Sequence, residues 1–397
     1  MKITSIKQRE LQGTLKTDGE FWEDRLVRPL DVYPEHKNDV YRAGLQKTNA
    51  NGYPIKAVFL EIHTDEGIVG VSGPIAPEIA YIIDEQFRWL LIGADPIASE
   101  RLWDVMYRHA IHGRKGNTML AISAIDCGLW DVRGKAANMP VHRLLGGPVR
   151  TTFPAYASML GYSIEPSRAA ERARQYAAMG YTAQKWFFRY GPTDGRQGIE
   201  RNIALVRAVR EAVGDDVDIM MDAWSSWDVP YSVMMCERMA EYDIAWLEEP
   251  VLADKIDSYA ELRSRVDTPI SGGEHEYTRW GFKALLEAEA CDVYQADTYW
   301  AGGISEMVKI AALCSTYDKV LIPHGHSTPA NAHFTAAMSP VLTPMIEYLV
   351  KWNEIHQHFL ATPVKPVNGM ITVSDAPGLG IEIDPAKVES ERELKWG

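Results

Sequence analysis

The sequence predicts an α/β fold, a closed (β/α)8 barrel of modified, TIM-like form preceded by a smaller α+β domain. Three observations carry this. Eight short apolar runs alternate with amphipathic helices between residues 153 and 349, a rhythm that implies right-handed βαβ units and a parallel sheet. An antiparallel hairpin pattern lies well ahead of them in the chain. No GxGxxG or GxxxxGK[ST] turn follows any of the runs, which weakens an open nucleotide-binding sheet as the alternative.

The elements follow in order. Residues 56–72, KAVFLEIHTDEGIVGVS, alternate apolar and polar side chains about an Asp-Glu-Gly turn and predict a hairpin. A helical tract runs from Pro77 to about Tyr107, and a second helix from Ser123 to Ala137 carries Ile125, Leu129, Trp130 and Val132. Leu144-Leu145-Gly146-Gly147 is its exit, and the pattern changes near residue 150. The eight candidate strands are 153–157, 185–188, 217–222, 245–248, 268–273, 292–297, 319–324 and 345–349. Helices such as Asn202 to Val213, with Ile203, Val206, Val209 and Val213 on one face, lie between them. From about Pro363 the βα rhythm is lost among Pro-Val-Asn-Gly and Pro-Gly-Leu-Gly turns. The expected division is an N-terminal domain over 1–125, to which 363–397 returns, and a barrel over 126–362.

Composition excludes several function classes. A net charge of −13 over 397 residues argues against a nucleic-acid partner, which needs a surplus of Lys and Arg on one face. It also means that an anionic substrate needs local positive charge from a cation or a few placed Arg and Lys. Cys127, Cys236, Cys291 and Cys314 show no CxxC spacing and sit in apolar segments, as expected of buried free thiols. The N-terminal MKITSIKQREL has no apolar h-region, and no run approaches 18 apolar residues. A cytoplasmic chain with no membrane partner is the expectation.

In a barrel the C-terminal ends of the strands converge on one face, where the chemistry takes place. Asp222, Glu248 and Glu274 close or follow three consecutive strands at equal intervals of 26 residues. Three converging carboxylates repel one another unless a cation lies between them. Oxygen ligands in that number, with no Cys or His among them, suit Mg²⁺. The next two strands end in Asp297 and His324. A carboxylate beside an imidazole fixes its tautomer and raises its basicity, as a general base requires. Glu347, on the eighth strand, is a further catalytic candidate, an electrophile if a dry site keeps it protonated. His326 and His333 lack such a carboxylate neighbour. In QKWFFRYGP, Gln184 to Pro192, a single lysine heads an apolar run.

Taken as a set, MMDAW (220–224), WLEEP (246–250), SGGEH (271–275), QADTYWAGG (295–303) and IPHGH (322–326) resemble the motifs of the enolase superfamily, in its mandelate racemase subgroup. The resemblance covers nearly the whole chain, including DVRGKAANMPVHRLLGG (131–147) ahead of the barrel. It implies that the N-terminal α+β domain caps the barrel, that Asp222, Glu248 and Glu274 bind Mg²⁺, and that oxygens of an acid substrate join them. The chemistry is consistent with this, since removing a proton beside a carboxylate piles a second negative charge onto the group, which a divalent cation and a lysine offset.

Many members of that subgroup carry Lys-x-Lys on the second barrel strand, the first lysine touching the substrate carboxylate and the second serving as a base. This chain has Lys185-Trp186-Phe187. Phenylalanine cannot take a proton, which leaves the His324–Asp297 pair as the evident base and disfavours racemisation. One base suffices for dehydration: the alpha proton leaves, a metal-stabilised enediolate forms, the 3-hydroxyl departs, and a 2-keto-3-deoxy acid results. The chain most resembles the acid-sugar dehydratases that act on L-rhamnonate or a related aldonate, with a Gly-Pro turn and insertion at RYGPTDGRQG (189–198) and a covering loop at WEDRLVRPL (22–30). Arg25, Arg28 and Arg189 are then substrate-binding candidates together with Lys185. Two rivals remain: an epimerase or racemase with a non-standard second base such as Tyr190 or His36, and a non-catalytic metal-binding barrel. Twelve Trp and eighteen Tyr fit extensive subunit contacts, and barrels of the resembled kind form homo-oligomers from dimer to octamer.

Overall fold

The computed structural model describes residues 1–37 and 47–396. Thirteen strands form two sheets among the described residues: β1 (Ile3–Leu15), β2 (Tyr53–Thr64), β3 (Val69–Ile75), β4 (Thr152–Ser158), β5 (Ala183–Phe187), β6 (Asp218–Asp222), β7 (Trp246–Glu248), β8 (Ile270–Gly272), β9 (Val293–Tyr294), β10 (Val320–Leu321), β11 (Ile346–Leu349), β12 (Met370–Thr372) and β13 (Ser390–Glu393). The first sheet is antiparallel, in the order β13-β1-β2-β3, and the second runs β10-β9-β8-β7-β6-β5-β4-β11. All eight strands of this second path pair in parallel. Eight parallel strands with helices between them curl into the predicted barrel, and β11 returns to pair with β4. Between β10 and β11 the ladder gives way to single contacts, such as the Glu347 amide donating to the Pro323 carbonyl at 3.4 Å.

Side-chain alternation along the barrel strands separates two environments, because successive residues of a strand face opposite sides. On β6, Ile219 and Met221 join the core beneath the helices, whereas Met220 packs inside the barrel with Tyr156, Ala183, Trp246 and Ile322. The same alternation on β5 sends Trp186 out to the helices and Ala183 inward. Lys185 is two residues beyond Ala183 and shares its inward face. The lysine at the head of the apolar run is therefore the polar member of an inward-facing row, and it is almost fully buried.

The hairpin predicted over 56–72 is β2 and β3 joined by a turn at Thr64–Ile68. The tract from Pro77 is not one helix. It breaks after Leu91 and resumes at Ser99–His109, because Gly93 takes φ +80° and Asp95-Pro96 follows. Helix Asn117–Ala137 passes straight through residue 125, where the sequence reading divides the domains, and its buried side chains share a core with β1, β2 and Trp103. It also reaches the barrel: the buried Asp126 carboxylate accepts from the Ser305 amide at 2.9 Å, at the start of helix Ile304–Thr316. Gly303, at φ +84°, has no alternative, since a Cβ there would lie 2.3 Å from Asp126 Oδ2. After β11 the chain adds β12 antiparallel to β4, passes the Leu379 amide to Asp131 Oδ1 at 2.7 Å, and ends with β13 paired to β1. All four cysteines are buried and free. Among the described residues no helix is long and apolar enough to cross a membrane.

Candidate active site

The strand ends open into a cavity of about 640 Å³ lined on the barrel side by Lys185, Phe187, Asp222, Trp224, Glu274 and His324. Its opposite wall comes from the N-terminal loop, through Trp22, Arg25, Leu26 and Arg28. Asp222 and Glu248 are the last residues of β6 and β7, and Glu274 lies two residues past β8. Backbone strain accompanies these ends. Trp224, Ser225 and Glu249 take positive φ of 40°, 57° and 39°, a left-handed conformation that costs non-glycine residues energy and that clusters at functional sites.

Lys185 Nζ sits among three carboxylates. It contacts Glu248 Oε1 and lies 3.1 Å from Asp222 Oδ2 and 2.9 Å from Glu347 Oε1. These acids hold its ammonium well above the usual lysine range, outweighing the burial that pulls it down. One ammonium does not neutralise them all. Burial raises Glu248 to about 8 and Asp222 to about 6, each against the pull of Lys185. Glu274 is raised to about 7, by burial first and by Glu249 as well. Glu248 is further fixed by Trp246 Nε1 at 3.0 Å and Gln295 Nε2 at 2.7 Å, and Asp222 by the Trp224 amide at 2.8 Å. A buried, oxygen-rich set short of positive charge fits a hard divalent cation.

Asp222 and Glu248 are brought together through Lys185, but Glu274 turns elsewhere. Its Oε2 lies 3.5 Å from His324 Nε2 and its Oε1 3.6 Å from His275 Nδ1. The ligand atoms of Glu249, Glu274 and His275 come within 4.8 Å of one another. Sequence reasoning missed Glu249 and His275, although each directly follows a residue it singled out. His275 Nδ1 pairs with Glu249 Oε2 at 2.8 Å, and Glu249 outweighs burial to raise the imidazole to about 9.

His324 Nδ1 lies 3.2 Å from Asp297 Oδ2, and Asp297 is in turn held by the Tyr299 amide at 2.7 Å. With Nδ1–H directed at Asp297, the nitrogen left facing the cavity is Nε2. Burial lowers this imidazole, but Glu274, Asp297 and Glu347 prevail and raise it to about 10. The Trp300 ring lies beside it, tilted by 41° with ring centroids 4.7 Å apart. His326 also lines the cavity, and burial pushes it down to about 4.

Glu347 requires a correction. The sequence suggested a carboxyl kept protonated by a dry site, and burial does act in that direction. Lys185 and His324 outweigh it and hold the group below its ordinary range, so Glu347 is an ionised partner of Lys185 that also accepts from the Gly325 amide at 2.8 Å. Arg25 and Arg28 do line the cavity, with their guanidinium groups directed to Asp31 at 2.6 Å and 3.1 Å. Arg189 is not among the lining residues, and its guanidinium lies 5.9 Å from the centre of the Tyr190 ring. The rival bases are not in the cavity either: the Tyr190 hydroxyl accepts from Arg201 at 2.7 Å, and His36 is exposed. The apolar lining from Leu160, Leu349 and Trp352 escaped the sequence reading, since nothing in their spacing marks them as facing a cavity rather than a core.

An α+β cap over a parallel barrel, with carboxylates at successive strand ends and a lysine between them, defines the enolase-type architecture. The chain belongs to the mandelate racemase and muconate lactonizing branch of the enolase superfamily: residues 168–387 match the family described as "Enolase C-terminal domain-like", and residues 51–146 match "Mandelate racemase / muconate lactonizing enzyme, N-terminal domain". It is 35% identical over 381 residues to an L-rhamnonate dehydratase of Saccharopolyspora erythraea, covering 93% of this chain and 92% of that one. The crystal structure of L-rhamnonate dehydratase from Gibberella zeae superposes with a TM-score of 0.83 at 31% identity, covering 97% of this chain and 94% of that one. That enzyme has also been solved complexed with Mg, at a TM-score of 0.82 and 30% identity over 97% of this chain and 95% of the other. A 3,6-anhydro-D-galactonate cycloisomerase from Zobellia galactanivorans gives a TM-score of 0.79 at 30% identity over 98% and 99% of the two chains.

Proposed function

We propose that the protein is a Mg²⁺-dependent dehydratase of an acid sugar, an aldonate such as L-rhamnonate or a related sugar acid, that forms a 2-keto-3-deoxy acid. One observation carries the choice of reaction: His324 is the cavity-lining imidazole with a carboxylate partner, and Phe187 occupies the cavity wall where a second base would stand. Similarity to dehydratases of 35% and 31% identity supports it.

Asp222, Glu248 and Glu274 would hold the cation, which when bound supplies positive charge against the charge that develops on the substrate carboxylate. Lys185 adds a fixed ammonium on the same side. With Glu274 engaged by the cation, the largest charge that keeps the imidazole protonated would be offset, leaving His324 Nε2 free to take the alpha proton while Asp297 stabilises the imidazolium that results. The same imidazolium then gives its proton to the departing 3-hydroxyl, so one residue serves both steps. Trp224, Trp300 and Trp352 line the cavity with apolar surface.

The test is a screen of a stereochemically complete set of five- and six-carbon aldonic, 6-deoxyaldonic and aldaric acids with Mg²⁺, read by 2-keto acid formation. Conversion of at least one aldonate is expected. Inverted substrate without keto acid would replace this reading with an epimerase, and inertness toward every acid would replace it with a non-catalytic barrel.

A further inference from the structure

Lys351 lies outside the cavity, just past β11 in helix Val350–His356, and is nearly fully buried. Its Nζ donates to Glu23 Oε1 at 3.0 Å and to the Gly161 carbonyl at 3.0 Å, and it lies 4.0 Å from the centre of the Tyr162 ring. Glu23 is the residue next to Trp22 in the loop that supplies the cavity's outer wall. Its other oxygen accepts from Arg168 at 2.7 Å and from the Ser163 amide at 3.3 Å. Asp24 accepts from the Ser163 hydroxyl at 3.1 Å and the Ile164 amide at 3.2 Å.

Gly161 is the hinge of this arrangement. Its carbonyl accepts from both Lys351 and the Glu23 amide, the latter at 2.8 Å. It takes φ +84°, and a Cβ there would lie 2.7 Å from the Trp22 indole. The same backbone point thus anchors the loop and lets Trp22 lie against the barrel. A buried ion pair is a poor means of gaining stability, since an apolar pair of the same volume does as well or better. What a charged pair with fixed donors does supply is a defined position.

We propose that Lys351, acting through Glu23, is a positioning residue that locks the wall formed by Trp22, Arg25 and Leu26 onto the barrel and so sets substrate affinity. The inference rests on the reading of this cavity as the substrate site. The lysine touches none of the reacting atoms, so its removal acts on binding and leaves the proton transfer at His324 in place.

Lys351→Met, Lys351→Arg and Glu23→Gln test it by two readouts on the full chain. Hydrogen exchange of residues 20–30, without substrate, is expected to accelerate about tenfold or more in Lys351→Met while barrel segments stay unchanged. For whichever acid sugar the wild type converts, KM is expected to rise about tenfold with kcat within about threefold. Lys351→Arg is expected to restore most of both. Unchanged exchange in the loop, or a fall in kcat at constant KM, overturns the proposal. If Lys351→Met does not fold, Glu23→Gln is read by the same criteria. If the wild type converts no acid sugar, the assigned reaction fails while hydrogen exchange still decides the role of Lys351.

Discussion

The Lys185 ammonium lies 3.1 Å from Asp222 Oδ2 and 2.9 Å from Glu347 Oε1, so a single cation ties the first of the strand-end acids to the last barrel strand. Removing it leaves these carboxylates, and Glu248 with them, facing one another in a buried space. Lys185→Met is expected to destabilise the metal-free protein by about 3 kcal/mol, measured by urea unfolding, and Mg²⁺ is expected to recover more stability in the variant than in the parent. Equal stability of the two metal-free proteins would show that the acids are already neutral.

His324 and Asp297 form the assigned base. His324→Asn is expected to lower kcat by roughly 10³-fold or more, with Mg²⁺ affinity retained in a titration, because a positioned base contributes about 10²–10⁴. Asp297→Asn keeps the shape but loses the charge that orients Nδ1–H, and a loss of about 10²-fold is expected. Full activity in either variant would remove the pair from the mechanism.

Phe187 lines the cavity and has no proton to exchange. Partial turnover in D₂O is expected to give product with one deuterium at C3 and recovered substrate of unchanged configuration. Phe187→Lys is expected to make keto-acid formation no faster. Inverted, deuterated substrate from the wild type would reveal a second base.

Far from the cavity, His142 and His333 stack with their Nδ1 atoms 3.1 Å apart, and burial lowers both imidazoles, His333 to about 3. The unfolded chain protonates His333 near its ordinary 6.5, whereas the folded chain resists until about 3. Stability from this group is therefore complete above pH 6.5 and is lost on acidification, by on the order of 1 kcal/mol per pH unit. Urea midpoints are expected to fall between about pH 7 and about pH 5, and His333→Gln to flatten the decline.

Much of this was legible in the chain. The eight barrel strands lie within the predicted runs or a few residues of them, since alternating apolar runs and helices report burial directly. The placement of Asp222, Glu248, Asp297 and His324 at strand ends followed from the same rhythm. What was not legible depended on side-chain direction past the strand ends. Glu274 turns to His324 and His275, Lys185 settles among acids, and Glu347 stays ionised because of that lysine. No periodicity governs those residues. The helical tract after Pro77 broke at Gly93 because a local φ overrode the apolar pattern, and the loop around Trp22 is held by polar contacts to segments more than a hundred residues away.

The pairing of β1 with β13 carries a consequence for biosynthesis. Arg9 stands opposite Glu393 in one antiparallel ladder, with the whole barrel between them in the chain. A ribosome delivers β1 first and β13 only after every barrel strand has emerged. The edge of β1 that β13 covers therefore stays unpaired throughout translation of the barrel.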